Sequence, residues 1–230
     1  RAGNVIGGGD WTVNRLVTDA IIAASKNEKL GIRNPRSSRP WQHVLEPLSG
    51  YLMLGQLMFE EKDSIADAWN FGPSQSSNLT TEKLVNLMNS EWSKIVGDFA
   101  VVPGARHEAG LLMLDSTKAR SCLGWDPIWN IKKTVKYTVE WYRLLLESDE
   151  VITDRQIDLY MQDALKSNAV WATYGTREYI IYDGGGRPSG NPNGTFPIEA
   201  VDSFTIGGFP YIARNSAPDH PLTKIRSEGE

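Results

Sequence analysis

The chain predicts a mixed α/β fold, and three observations carry that expectation. Short β-like runs alternate with amphipathic helical patterns instead of being segregated from them. Val5-Ile6, Gly7-Gly8-Gly9-Asp10 and then Leu16, Val17, Ala20, Ile21 and Ala24 at helical spacing form a strand, loop and helix in succession. Pro47 opens a second helix directly behind a polar aromatic run, because its fixed φ and missing N–H suit a first helical turn.

The later elements follow in order. Ile32-Arg33 and Gln42-His43-Val44 are expected as short strands, and Leu48, Tyr51, Leu52, Gly55 and Met58 as the buried face of the helix after Pro47. Ala68-Trp69-Asn70-Phe71 reads as a third strand, stopped by Gly72-Pro73. Thr80 is expected to cap a helix carrying Leu84, Leu87, Met88 and Glu91, with Glu82 favouring its positive end. Val101-Val102 and Leu111-Leu112-Met113-Leu114 read as strands, the second leading into a short helix from Ser116 to Leu123. Asn130 caps the longest helix, with Ile131, Val135, Thr138, Val139, Tyr142 and Leu145 on one face, and Asp154 starts another through Ile157 and Tyr160. Composition then changes. After about Leu165 comes a Gly-rich extension centred on Gly184-Gly185-Gly186-Arg187-Pro188, flanked by the strand-like Glu178–Tyr182 and Phe204–Ile206. The domain reading is therefore 1–163 as one lobe and 164–230 as a loop-rich extension without an assigned fold.

Composition restricts the function. A net charge of −4 gives no electrostatic reason to expect a nucleic-acid partner, and apolar runs such as Tyr51–Leu54 fall far short of the roughly 20 residues that span a bilayer. A single Cys122 cannot form an internal disulfide, which fits a reducing cytoplasm. His43, His107 and His220 lack metal-ligand spacing, so no metal is expected. The chain begins at Arg1 in front of a strand and is read as part of a longer protein. Asn78-Leu79-Thr80 and Asn193-Gly194-Thr195 match the glycosylation pattern by chance in that setting.

The segment Arg39-Pro40-Trp41-Gln42-His43-Val44-Leu45-Glu46-Pro47 is the most ligand-like feature. A guanidinium fork meets two phosphate oxygens at once, and Trp or His can lie against a sugar or base. Arg39 is the leading candidate for a diphosphate, its bland alternative being a surface ion pair with Glu46. Trp41 and His43 would share one side of a strand, and each is more often core than ligand platform.

Together with Arg1-Ala2-Gly3-Asn4, Arg33-Asn34-Pro35, Trp69-Asn70-Phe71-Gly72-Pro73, His107-Glu108-Ala109 and Leu123-Gly124-Trp125, this segment resembles the CDP-glucose 4,6-dehydratases over about Arg1 to Met161. These are extended short-chain dehydrogenases/reductases, with a Rossmann half holding NAD and a smaller half gripping the nucleotide sugar. The resemblance implies a substrate-binding lobe joined to the last strands of a Rossmann fold. It implies CDP-glucose as ligand, and for the whole enzyme a homodimer formed through the Rossmann half.

The implied reaction is an internal redox cycle. NAD takes hydride from C4, water leaves across C5–C6, and the hydride returns to C6, yielding CDP-4-dehydro-6-deoxyglucose for surface polysaccharides. Neither Gly-x-Gly-x-x-Gly nor Tyr-x-x-x-Lys occurs in this sequence, so no catalytic residue is assigned and this chain alone is expected to be inactive. The missing half should leave apolar surface exposed. By the resemblance, Asn4 and a basic residue at Arg15 would meet the substrate, as would His107 and, on the diphosphate, Arg106 in place of an expected proline. Asn4 could instead be a turn residue, and Arg15 or Arg106 merely solvated. The competing functions are another nucleotide-sugar epimerase, and a non-catalytic nucleotide-sugar binding or scaffold protein.

Overall fold

The computed structural model describes residues 1–60, 65–99 and 112–173, together with the backbone of two strands, Phe204–Ile206 and Phe209–Tyr211. The chain divides into two compact units, Arg1–Ala172 and Thr173–Glu230. In the second, the two strands pair antiparallel, Phe204 opposite Tyr211.

The first unit is a mixed α/β body. Strand β1 (Asn4–Ile6) leads through a glycine loop to helix α1 (Leu16–Ser25), then to β2 (Lys29–Gly31) and β3 (Ser38–His43). Helix α2 (Leu45–Phe59) follows, then β4 (Asn78–Thr80), α3 (Thr81–Glu91) and β5 (Val96–Asp98). A π-helical turn at Ala119–Leu123 precedes the long α4 (Ile131–Ser148), α5 (Thr153–Lys166) and the short α6 (Val170–Thr173). One sheet has the order β1-β3-β4, with β1 and β3 parallel, Asn4 opposite Trp41, and β3 and β4 antiparallel, Ser38 opposite Thr80. A second pairs β2 and β5 in parallel.

Local chemistry accounts for the helices. The Thr80 side chain accepts the N–H of Lys83 at 3.3 Å and that of Asn130 accepts the N–H of Lys133 at 3.1 Å, each satisfying an orphan donor of a first turn. α4 buries Ile131, Val135, Thr138, Val139 and Tyr142 as its spacing predicts, and α3 buries Leu84 and Met88. With α1 they form one core, while Trp69, Phe71, Trp125, Trp129, Tyr160 and Trp171 form a second, aromatic one.

Other expectations need correction. The strand expected at Ile32-Arg33 runs earlier, Lys29–Gly31, although the Ile32 N–H still reaches the Asp98 carbonyl at 2.8 Å. Ala68–Phe71 forms no ladder beyond a single bridge between Ala2 and Phe71. Its neighbours bond elsewhere: Asn70 Nδ2 donates to the Asp115 carbonyl and the Gly72 N–H to Ser116 Oγ. Leu112–Leu114 lies outside the ladders, with Leu112 and Met113 exposed, whereas Val101-Val102 and Leu111 fall outside the described residues. Asp154 sits in the first turn of α5, whose N-cap is Ile152. The largest reversal is α2. It buries Glu46, Pro47, Ser49, Gly50 and Met53, and leaves Leu48, Tyr51, Leu52 and Met58 outside.

Candidate functional site

A polar cavity of about 960 Å³ opens where β1, the start of α1, the end of β2 and the first half of β3 converge. Its size suits a ligand of several rings. The floor is made by Asn4, Val5 and Ile6 of β1 with Arg39 and Trp41 of the neighbouring β3. Arg15, Leu16, Val17, Thr18 and Asp19 form one wall, Leu30 to Asn34 another, and Ser37, Thr81 and Tyr142 close it.

The loop between β1 and α1 is held in shape by the cavity's own groups. The Tyr142 hydroxyl donates to the Asp10 carbonyl at 2.6 Å, and Thr18 Oγ1 to the same oxygen at 3.2 Å. Burial pushes the Tyr142 phenol up to about 12, so it stays protonated and keeps donating. The Asp10 carboxylate accepts from the Thr12 N–H at 2.9 Å and from Arg15 Nη1 at 3.2 Å. Hydrogen bonds from Thr12, with the charge of Arg15 behind them, hold it below the usual carboxylate range. Gly9 (φ 85°) and Asn14 (φ 63°) take the left-handed turns that return the loop to α1.

No side chain caps α1, and its first i to i−4 bond is Asp19 N–H to the Arg15 carbonyl at 2.8 Å. The amides of Leu16, Val17 and Thr18 therefore lie ahead of the helix ladder, all three residues lining the cavity. Partial positive charge at a helix start favours anions there. Arg39 faces the same space from β3, its Nη1 donating to the Ser38 carbonyl at 2.9 Å.

Four of the residues expected to bind, Asn4, Arg15, Arg39 and Trp41, thus come together around one cavity. Trp41 is a wall rather than a mobile platform: its ring is buried and its indole N–H donates to the Leu79 carbonyl at 3.2 Å. Its strand neighbour on the same side, His43, lies further along, buried edge-on against Trp129 at a 4.8 Å centroid distance, and does not line the cavity. Burial lowers its pKa to about 3, which keeps the imidazole neutral. Arg106 and His107 fall outside the described residues. Arg33, Asn34, Asp19, Thr81 and Tyr142 also line the cavity. Tyr142 lies on the face of α4 that reads as core, and Arg33-Asn34 carries no signal in the sequence beyond its place in a motif.

Behind the cavity, Glu46 in the first turn of α2 is fully buried. Its carboxylate accepts the N–H groups of Ile128 (2.9 Å) and Trp129 (2.6 Å) and the Tyr160 hydroxyl (2.9 Å), tying α2, the approach to α4, and α5 together. Desolvation outweighs these donors and raises its pKa to about 7.

No protein-family model matches the chain. Over 163 residues it is 40% identical to CDP-glucose 4,6-dehydratase of Salmonella typhimurium, an alignment covering 70% of this chain and 45% of that protein. The chain is related to CDP-glucose 4,6-dehydratase. It spans less than half the length of that dehydratase. Its fold is that of the Rossmann-type extended short-chain dehydrogenases/reductases. UDP-glucuronic acid 4-epimerase from Bacillus cereus, solved with UDP-glucuronic acid and NAD, superposes with a TM-score of 0.51 at 17% identity, covering 63% of this chain and 44% of the epimerase. UDP-glucose 4-epimerase from Stenotrophomonas maltophila, with NAD and formylated UDP-arabinopyranose, gives 0.52 at 17%, covering 64% and 48%. An epimerase from Methanothermobacter thermautotrophicus gives 0.53 at 21%, covering 64% and 43%.

The described residues do not fit an NAD cradle. Glycines in such a cradle let a pyrophosphate approach the backbone. In the Gly7-Gly8-Gly9 run of this dehydratase relative the close approach is taken by protein, since a Cβ on Gly8 would stand 2.1 Å from the Trp141 ring. None of the described helices is long and apolar enough to cross a membrane.

Proposed function

We propose that this chain is the nucleotide-sugar-binding lobe of a CDP-glucose 4,6-dehydratase and that its cavity takes CDP-glucose. The observation that carries the reading is the convergence of Arg39 and the uncapped start of α1 on one cavity. A guanidinium and a row of helix-start amides are complementary to a diphosphate, which presents oxygens to both at once. Trp41 supplies a fixed apolar wall and Asn4 a polar group beside it. Arg15 is engaged by Asp10, so it closes the loop at the rim with its charge offset by that carboxylate. Arg106 and His107 are proposed as further substrate contacts on the resemblance alone.

The described residues bind and orient; they carry no step of the redox cycle. Hydride transfer and water elimination belong to the complete enzyme, whose NAD-binding half supplies that chemistry. The product would be CDP-4-dehydro-6-deoxyglucose.

Calorimetric titration of the purified chain with CDP-glucose and UDP-glucose tests this. CDP-glucose is expected to bind in preference, and Arg39→Ala to weaken it by about 1.5–3 kcal/mol, roughly ten- to a hundredfold, the worth of a charge-assisted hydrogen-bonded pair. A folded chain that ignores both nucleotides would sink the proposal. Preference for UDP-glucose would move it to an epimerase.

A further inference from the structure

Two carboxylates line a cavity whose ligand is read as an anion, and only one of them has its charge answered. Both oxygens of Asp10 are engaged, one by the Thr12 N–H and the other by Arg15. Asp19, half-buried in the first turn of α1, bonds through Oδ1 alone, accepting the Asn14 N–H at 3.1 Å. Asn14 is the residue turned to φ 63°, so holding that turn needs one oxygen of Asp19. Among the described residues the second oxygen, Oδ2, takes no hydrogen bond and no ion pair.

Like charge makes this carboxylate unfavourable to a diphosphate in the same space. A carboxylate only accepts, so what it fits is a donor on the ligand. CDP-glucose and UDP-glucose share every hydroxyl and differ in the base alone. Cytosine carries an amino group, a donor, where uracil carries a carbonyl oxygen, an acceptor, and an aspartate accepting from that amino group is the direct way to tell them apart. The other lining groups cannot make the distinction. Arg33 and Arg39 only donate and would favour the carbonyl, while the amides of Asn4 and Asn34 can turn either way. Selection between near-identical ligands commonly uses a group that repels the wrong one.

We infer that the unbonded oxygen of Asp19 accepts the cytosine amino group, which makes Asp19 the residue that selects a cytidine over a uridine nucleotide sugar. The inference rests on the reading of the cavity as a CDP-glucose site. The same carboxylate that weakens the hold on the diphosphate makes the cavity selective.

The test is calorimetric titration of the full chain and its Asp19→Asn variant, each with CDP-glucose and UDP-glucose. Asparagine keeps Oδ1 for the Asn14 N–H and replaces the unbonded oxygen by an NH₂ group, a donor suited to uracil. The ratio of CDP-glucose to UDP-glucose affinity is expected to fall roughly tenfold or more, with UDP-glucose bound more tightly than by the parent. Both ligands titrate the same preparation, so a partly folded variant scales the two alike and leaves the ratio readable. A ratio that stays at the parent's value overturns the inference: with both affinities unchanged Asp19 serves the turn alone, and with both lowered together it meets a sugar hydroxyl. A parent chain that binds neither ligand, or prefers UDP-glucose, overturns the CDP-glucose reading itself and this inference with it. The two failures are therefore separated by the parent's own preference.

Discussion

His43 at the end of β3 and Glu46 in the first turn of α2 are both buried, and burial drives them in opposite directions along the pH axis. His43 is lowered from 6.5 to about 3, so between those values the unfolded chain holds the extra proton and stability rises with pH. Glu46 is raised from 4.5 to about 7, so across that range the folded chain holds the extra proton and stability falls as pH rises. Each slope is at most about 1.4 kcal/mol per pH unit. They oppose one another between about pH 4.5 and 6.5, leaving a plateau from this pair. His43→Gln should therefore uncover a decline in melting temperature from pH 4.5 to 7 relative to the parent, measured by scanning calorimetry. A variant whose profile parallels the parent would show that the imidazole does not titrate on unfolding as burial requires. The alternation of Trp41 and His43 was legible in the sequence. That the cavity ends between them was not, because Trp129, eighty-six residues later, covers His43.

At the level of elements, the starts of α3 and α4 were readable because caps are local. Thr80 and Asn130 need only the backbone three residues on. Faces were readable where one side is polar, as in α4, and misleading in α2, where hydrophobic spacing marks an apolar face without saying which body covers it. Strands of three residues such as β2, β4 and β5 are too short for period-two alternation to emerge, so their pairing is set by tertiary contacts. The packing of α2 gives a prediction in which two effects compete. Gly50→Ala gains about 1 kcal/mol of helix propensity. The added Cβ would stand 2.3 Å from the Phe71 ring, between a helix backbone and a fully buried aromatic, so neither side yields easily. Overpacking of this kind costs about 1–3 kcal/mol, and with neither side yielding the upper part of that range, about 2–3 kcal/mol, leaves a net loss of about 1–2 kcal/mol in a urea titration. An unchanged or higher midpoint would mean that Phe71 has room to shift.

Over the whole chain, the boundary suggested by sequence and the boundary of the packed body differ in a way that truncation can measure. The family-like pattern fades after Met161, yet α5 runs on to Lys166, Ala164 is fully buried, and Trp171 stacks on Tyr160 at 5.7 Å. Tyr160 is the residue whose hydroxyl meets Glu46, so removing Trp171 exposes one side of the group that ties α5 to α2. A chain ending at Asp163 should lose about 3–5 kcal/mol, the cost of deleting a large buried aromatic, and unfold at lower urea than the full chain. One ending at Ala172 keeps the whole first unit. Every described residue of the cavity lies between Gly3 and Tyr142. The Ala172 truncation should therefore bind CDP-glucose within about twofold of the full chain, a difference of at most about 0.4 kcal/mol. If titration instead showed binding lost with Thr173–Glu230 removed, the extension would be part of the binding unit and the lobe would have to be redrawn around it.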